Sequence, residues 1–155
     1  MSDFRHRPKD NYSHEATWEQ LYVLTGHWQS DILFYQEDLK FLHHLIDKYF
    51  LYLTKKENID VILEIEVNLL DVEKQCNTLL DRINKHLQHL SELVDDPFTY
   101  VSDKFRDEHE QLEDDLAQFL KDFRQNRKEV FAITEHMIGG EELIKQLNVL
   151  HNKNN

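Results

Sequence analysis

Trp18 to Leu53 reads WEQLYVLTGHWQSDILFYQEDLKFLHHLIDKYFLYL. In it Leu21, Thr25, Trp28, Ile32, Tyr35, Leu39, Leu42, Ile46, Tyr49 and Leu53 recur at alternating steps of three and four. That spacing sets the side chains on one face of an α-helix, because 3.6 residues complete a turn. A seam sustained over the whole stretch predicts a long helix that packs against others along its length. Ser13 can cap its start, with Glu15 and Glu19 following in the first turns, so we expect the first helix over about 13–53. Gly26 sits inside it at a cost of about 1 kcal/mol against Ala.

In the same phase Lys56 and Asp60 would fall next on the seam, yet the apolar residues resume at Ile59, Ile62, Leu69, Cys76, Leu80, Ile83, Leu87, Leu90 and Val94. The break predicts a turn. Thr54-Lys55-Lys56-Glu57 has the form of a capping box that would open a second helix over about 56–94. Asp95-Asp96-Pro97 then offers an acidic N-cap with Pro at the first helical position, so a third helix is expected over about 97–138. Its seam is Phe98, Val101, Phe105, His109, Leu112, Leu116, Phe119, Phe123, Arg127, Val130, Thr134 and Met137, and Gly139-Gly140 should stop it. A short C-terminal helix over about 141–152 would follow, with Leu143, Ile144, Leu147 and Leu150 as its apolar side.

These expectations define an all-α protein, an antiparallel bundle of three long helices plus a short C-terminal one. A break near 125–127, giving a four-helix bundle, is the alternative. Residues 1–12 are expected to form a disordered or extended tail, 13–152 a single helical-bundle domain, and 153–155 a frayed end.

Composition narrows the functional classes. A net charge of −12 and a pI near 5.2 repel phosphate backbones and anionic membrane surfaces, so no nucleic-acid partner is expected and a charged partner should be basic. No stretch approaches the roughly 20 apolar residues of a membrane span, Met1 to Asp10 lacks an apolar signal core, and the one cysteine, Cys76, has no second cysteine in the chain to pair with. A cytoplasmic location is the expectation. With three Gly, the chain has no phosphate-cradling loop, nucleophile elbow or dinucleotide fingerprint, and no catalytic residue is expected.

Polar residues on or beside the seams are the remaining candidates. Antiparallel neighbours would bring Glu66 beside Arg127 as a buried ion pair that fixes helix register. They would also bring His27, His86 and His109 to one level, with Asp31 and Glu113 four residues after His27 and His109. Imidazole nitrogen with carboxylate oxygen suits iron, manganese or zinc in a bundle. Against this, the ten histidines are spread through the chain and the Glu-x-x-His signature of di-iron bundles is absent.

Leu24, Phe34, Phe41, Leu45 and Tyr52 form a second apolar line on the first helix, and Ile65, Val72, Leu79 and Leu93 recur by sevens on the second. A surplus of this kind either deepens the core, since bundle helices bury more than two positions per heptad, or marks an interface, with Leu24, Phe34 and Phe41 as its candidates. Two readings follow. The first is a non-enzymatic protein without a cofactor that acts through protein–protein interaction or self-assembly, as a homo-oligomer or with a protein partner. The second is a bundle that binds a transition metal ion through the histidines and carboxylates, as a sensor or redox protein.

Overall fold

The computed structural model describes residues 6–8, 11–56, 59–98 and 102–153, and side chains within these ranges apart from 52–56 and 136–153. Helix α1 spans Tyr12–Glu15, α2 Trp18–Lys56, α3 Ile59–Asp95 and α4 Ser102–Lys153. The chain is an all-α bundle of four helices, of which the short one is N-terminal. Val101 and the side chains of Tyr52, Leu53, Met137, Leu143, Ile144, Leu147 and Leu150, all expected to be apolar contacts, lie outside the described set. So do residues 1–5, 9, 10, 154 and 155 of the expected tails.

The first long helix starts later than Ser13 because a capping box intervenes. Ala16 is extended, with φ −67° and ψ 152°, and separates α1 from α2. Thr17 Oγ1 accepts the Gln20 N–H at 3.1 Å while Gln20 Oε1 accepts the Thr17 N–H at 2.9 Å, which satisfies two donors that a new helix start leaves open. The Thr54–Glu57 box does not open α3, since Thr54 to Lys56 are still part of α2. Asp96 also takes a different role from the expected cap. Its carboxylate accepts the Phe98 N–H at 3.1 Å in a turn, Phe98 is 93% exposed, and α4 begins only at Ser102.

No break occurs near 125–127, and Gly139-Gly140 does not stop the helix: α4 continues through both to Lys153. A glycine ends a helix by taking the left-handed conformation, and no described glycine has positive φ. The expected short C-terminal helix is therefore the last part of α4.

Burial follows the seven-residue repeats. On α2 the seam residues Leu21, Thr25, Trp28, Ile32, Leu39, Leu42, Ile46 and Tyr49 are buried, as expected. On α3 the buried series is Ile62, Ile65, Leu69, Val72, Cys76, Leu79, Ile83, His86, Leu90 and Leu93, an unbroken three-four alternation. Ile65, Val72, Leu79 and Leu93 are thus core and not surplus, and Leu24 of α2, expected at an interface, is buried too. A globular bundle helix buries more than two positions per heptad, which explains the wider stripe.

The contacts form two compact units, Met1–Asp38 with Glu73–Lys121 and Leu39–Val72 with Asp122–Asn155. In the first, Ala16, Leu21, Leu90, Leu93 and Phe105 make a cluster with Tyr12 and Trp18 packed on it. Gln29 donates to Asn84 Oδ1 at 2.7 Å and Gln36 to Asn77 Oδ1 at 3.0 Å, one heptad apart and in opposite chain directions, so these segments of α2 and α3 run antiparallel. In the second unit, Leu39, Leu42 and Ile46, Ile62 and Leu69, and Phe123 and Val130 supply buried side chains from three helices. Asn126 is the buried polar residue here and donates to the Ile65 carbonyl at 3.4 Å. The expected buried ion pair is absent. Steps from Phe123 to Asn126 to Val130 turn Asn126 inward, so Arg127 is exposed, with its guanidinium over the Phe131 ring at 4.7 Å, and Glu66 is only half-buried.

Gly26 offers a direct test of the helical register. A Cβ built there meets nothing within 4 Å, so Gly26→Ala should gain roughly 0.5–1 kcal/mol from reduced backbone entropy of the unfolded chain. Urea unfolding monitored by far-ultraviolet dichroism checks this, and a loss of stability would mean that the site is more crowded than described.

Candidate metal centre

A four-residue helix has no stability of its own, because nucleation is costly and only one turn is formed. Helix α1 is held by Arg106 of α4, whose Nη1 donates to the carbonyls of Ser13 at 3.1 Å and Ala16 at 2.8 Å. A cation thereby meets the open carbonyls at the C-terminal end of α1. The same guanidinium lies over the Trp18 ring at 4.1 Å, and its Nε reaches Ser102 Oγ at 3.3 Å.

This docking carries His14 onto the face of α4 that presents Asp107 and Glu110, two carboxylates three residues apart and so on neighbouring turns. His14 Nε2 lies 2.9 Å from Glu110 Oε2 and 3.8 Å from Asp107 Oδ1. One ligand atom from each residue falls within 4.8 Å of the other two. Tetrahedral coordination with bonds of about 2.1 Å separates ligand atoms by about 3.4 Å, and the two imidazole–carboxylate distances bracket that value. His14 is half-buried while both carboxylates are exposed, so water has access to the remaining positions around an ion. The expectation of a protein without a cofactor is corrected by this cluster, which forms a plausible metal-binding site.

The five ligands expected from sequence do not share a centre. His86 and His109 do meet: both are buried, with His86 Nε2 2.8 Å from His109 Nδ1. Phe105 stacks on the His86 ring at 4.6 Å and Trp28 on the His109 ring at 4.8 Å. Desolvation lowers the His86 pKa from 6.5 to about 4, with His89 and Arg82 adding to it. Desolvation, then the charges of His86, Arg7, Arg106 and His14, lower that of His109 to about 3. Both rings are neutral packing elements, and His109 Nε2 and Trp28 Nε1 have no hydrogen-bond partner among the described residues.

His27 is exposed and stacks on His6 at 5.1 Å, while Asp31 accepts or pairs with His6 Nε2 at 2.8 Å. Glu113 is buried and bonded by Arg7, whose Nε donates to Oε2 at 2.7 Å and whose Nη2 donates to Oε1. Each expected ligand is therefore engaged elsewhere, and among the described residues the three that converge are His14, Asp107 and Glu110. Sequence reasoning passed over His14 because the periodicity of α2 was extended back to Ser13. The Thr17-x-x-Gln20 box was the signal for the break that lets α1 fold back.

No described helix is long and apolar enough to cross a membrane. Protein-family models, curated proteins and solved structures offer no match to this chain.

The buried histidine pair makes stability depend on pH. Both rings are neutral in the fold and regain ordinary proton affinity on unfolding, so the unfolded chain binds more protons below pH 6.5. Stability should fall as the pH drops from 6.5 toward 4, approaching about 1.4 kcal/mol per pH unit for each ring. In the His86→Leu/His109→Leu double variant the stability lost between pH 7 and pH 5 should shrink by roughly 2–4 kcal/mol. Equal losses in the two proteins, measured by urea unfolding, would sink the assignment.

Proposed function

We propose that this protein is a metal-binding helical bundle in which His14, Asp107 and Glu110 hold one divalent transition-metal ion. The observation that carries the reading is the convergence of three ligand atoms, from α1 and α4, within 4.8 Å. One imidazole nitrogen with two carboxylate oxygens is a donor set for zinc, manganese or iron, and two carboxylates neutralise a divalent ion. For binding, His14 Nε2 presents its lone pair, so the ring proton resides on Nδ1 and the ion takes the place of the bond to Glu110.

Occupancy has a structural consequence. An ion shared by His14 on one side and Asp107 and Glu110 on the other fastens α1 to α4 alongside the Arg106 bonds to the Ser13 and Ala16 carbonyls. Metal binding then stabilises the docked N-terminal segment, and metal loss weakens it. This suits a sensor or a metal-stabilised fold better than redox chemistry, for which the two exposed carboxylates provide little shielding from solvent.

Calorimetric titration of zinc and of manganese into protein purified without a tag or chelator tests the proposal. One equivalent should bind, His14→Ala and Asp107→Asn should each weaken it at least tenfold, and His27→Ala should leave it unchanged. Metal at a hundred times its Kd should stabilise the fold by about 2.7 kcal/mol. No uptake of zinc, manganese or iron, or uptake indifferent to His14→Ala, would discard the site.

A further inference from the structure

Helix α3 carries a second apolar face that the core does not use. Around its axis each residue advances by about 100°, so Ile62, Ile65, Leu69 and Val72 cluster on the buried side while Ile59, Leu63, Val67 and Leu70 gather roughly 130° away. These four are 50%, 44%, 56% and 53% exposed. They succeed one another at steps of four, four and three, and so form a line about 17 Å long on one face. Scattered exposed hydrophobics are ordinary, but a line of four marks a contact surface.

Charge says what kind of partner fits. Glu66 lies on the edge between this line and the core, and Asp60, Glu64 and Asp71 lie on the opposite edge, exposed. From Ile59 to Glu73 the sequence contains no Lys, Arg or His. The line is thus bordered on both sides by carboxylates, and the first cation of its own helix, the exposed Lys74, stands one turn beyond Leu70 at its C-terminal end.

We propose that this face of α3 docks an amphipathic helix of another protein, with apolar anchors at i, i+3 or i+4 and i+7 along its centre and Lys or Arg on its flanks. The apolar line supplies affinity by burial, and the carboxylate borders select basic flanks and steer encounter. A second copy of the chain is a poor occupant, because two-fold pairing through this face sets Asp60, Glu64, Glu66 and Asp71 of one molecule against their equivalents. Anionic lipid is repelled for the same reason. This surface is independent of the metal site and does not rest on it.

The test uses the full chain in chelator and a fluorescent synthetic helical peptide of about 18 residues, long enough to cover the line, with Leu at the anchors and Lys on the flanks. Controls are a scrambled peptide and one with Glu in place of Lys. Anisotropy titration should show saturable binding of the basic peptide, at least tenfold tighter than either control. Leu63→Ser/Val67→Ser and, separately, Glu64→Lys/Asp71→Lys should each weaken it at least tenfold, the latter also flattening the salt dependence, while Phe34→Ser on α2 leaves it unchanged. Far-ultraviolet dichroism confirms that each variant keeps its helicity. Equal binding of the scrambled peptide, or insensitivity to the α3 variants, overturns the proposal. So does a dimer of the chain alone, by sedimentation, that Leu63→Ser/Val67→Ser dissociates, since the occupant is then a second copy.

Discussion

Burial of a seven-residue repeat along each long helix fixes the rotation of that helix about its own axis, and every other group takes its place from that rotation. Leu21, Ile32 and Leu42 of α2 and Ile62, Ile83 and Leu90 of α3 are almost completely removed from water. Each such side chain is worth about 1.5–3 kcal/mol relative to exposure. Rotating α3 by a single residue would bring carboxylates inward, so the seam is strongly enforced. Once it is set, His86 must be internal because it stands between Leu79 and Leu93 in the same series of sevens, and Leu63 and Val67 must be external.

Polar atoms inside the seams are accommodated by local means. Thr25 and Thr134 return their hydroxyls to the carbonyls four residues back, at 2.7 Å and 2.8 Å, and so cost the core little. Cys76 packs with its Sγ 3.7 Å from the Ile32 carbonyl, and burial, reinforced by the charge of Glu73, pushes its thiol up to about 11. A thiol held protonated in this way is a packing residue and a poor nucleophile. Glu113 is tolerated because Arg7 reaches it with two parallel bonds, and the N-terminal segment thereby gains a second anchor besides Arg106.

The sequence made the helical class and the α2 seam legible, because apolar periodicity is strong and needs no knowledge of neighbours. It was weaker where two apolar lines compete on one helix. On α3 the reading that ran through Ile59, Leu80, Leu87 and Val94 shares five positions with the true core, and only the contacts separate Ile59, exposed, from Ile65, buried. Helix ends were misread for a related reason. Thr17-x-x-Gln20, Thr54-x-x-Glu57 and Asp96-Pro97 all look like starts, and which one acts depends on what the preceding residues already bond. The histidine pair was half legible, since antiparallel register brings His86 to His109. The convergence of His14 with Asp107 and Glu110 was not, because it depends on the extended Ala16 and on Arg106, neither of which has a periodic signature.

The difference between the buried and the exposed histidines decides which of them suits an ion. His86 and His109 are stacked between Phe105 and Trp28, bonded to each other, and desolvated to the point that even a proton is disfavoured. A divalent cation there would face the same desolvation with twice the charge, and Glu113, one turn after His109 on α4, is already neutralised by Arg7. At His14 an ion would keep part of its water, meet two exposed carboxylates, and displace the hydrogen bond between His14 and Glu110. The physics that makes the inner pair good packing therefore makes the outer triad the better ligand set. Exposed carboxylates thus act alike in two separate places: Asp107 and Glu110 favour a cation, and Glu64 and Asp71 favour basic flanks along α3, where four exposed apolar side chains add the short-range contact that charge alone does not provide.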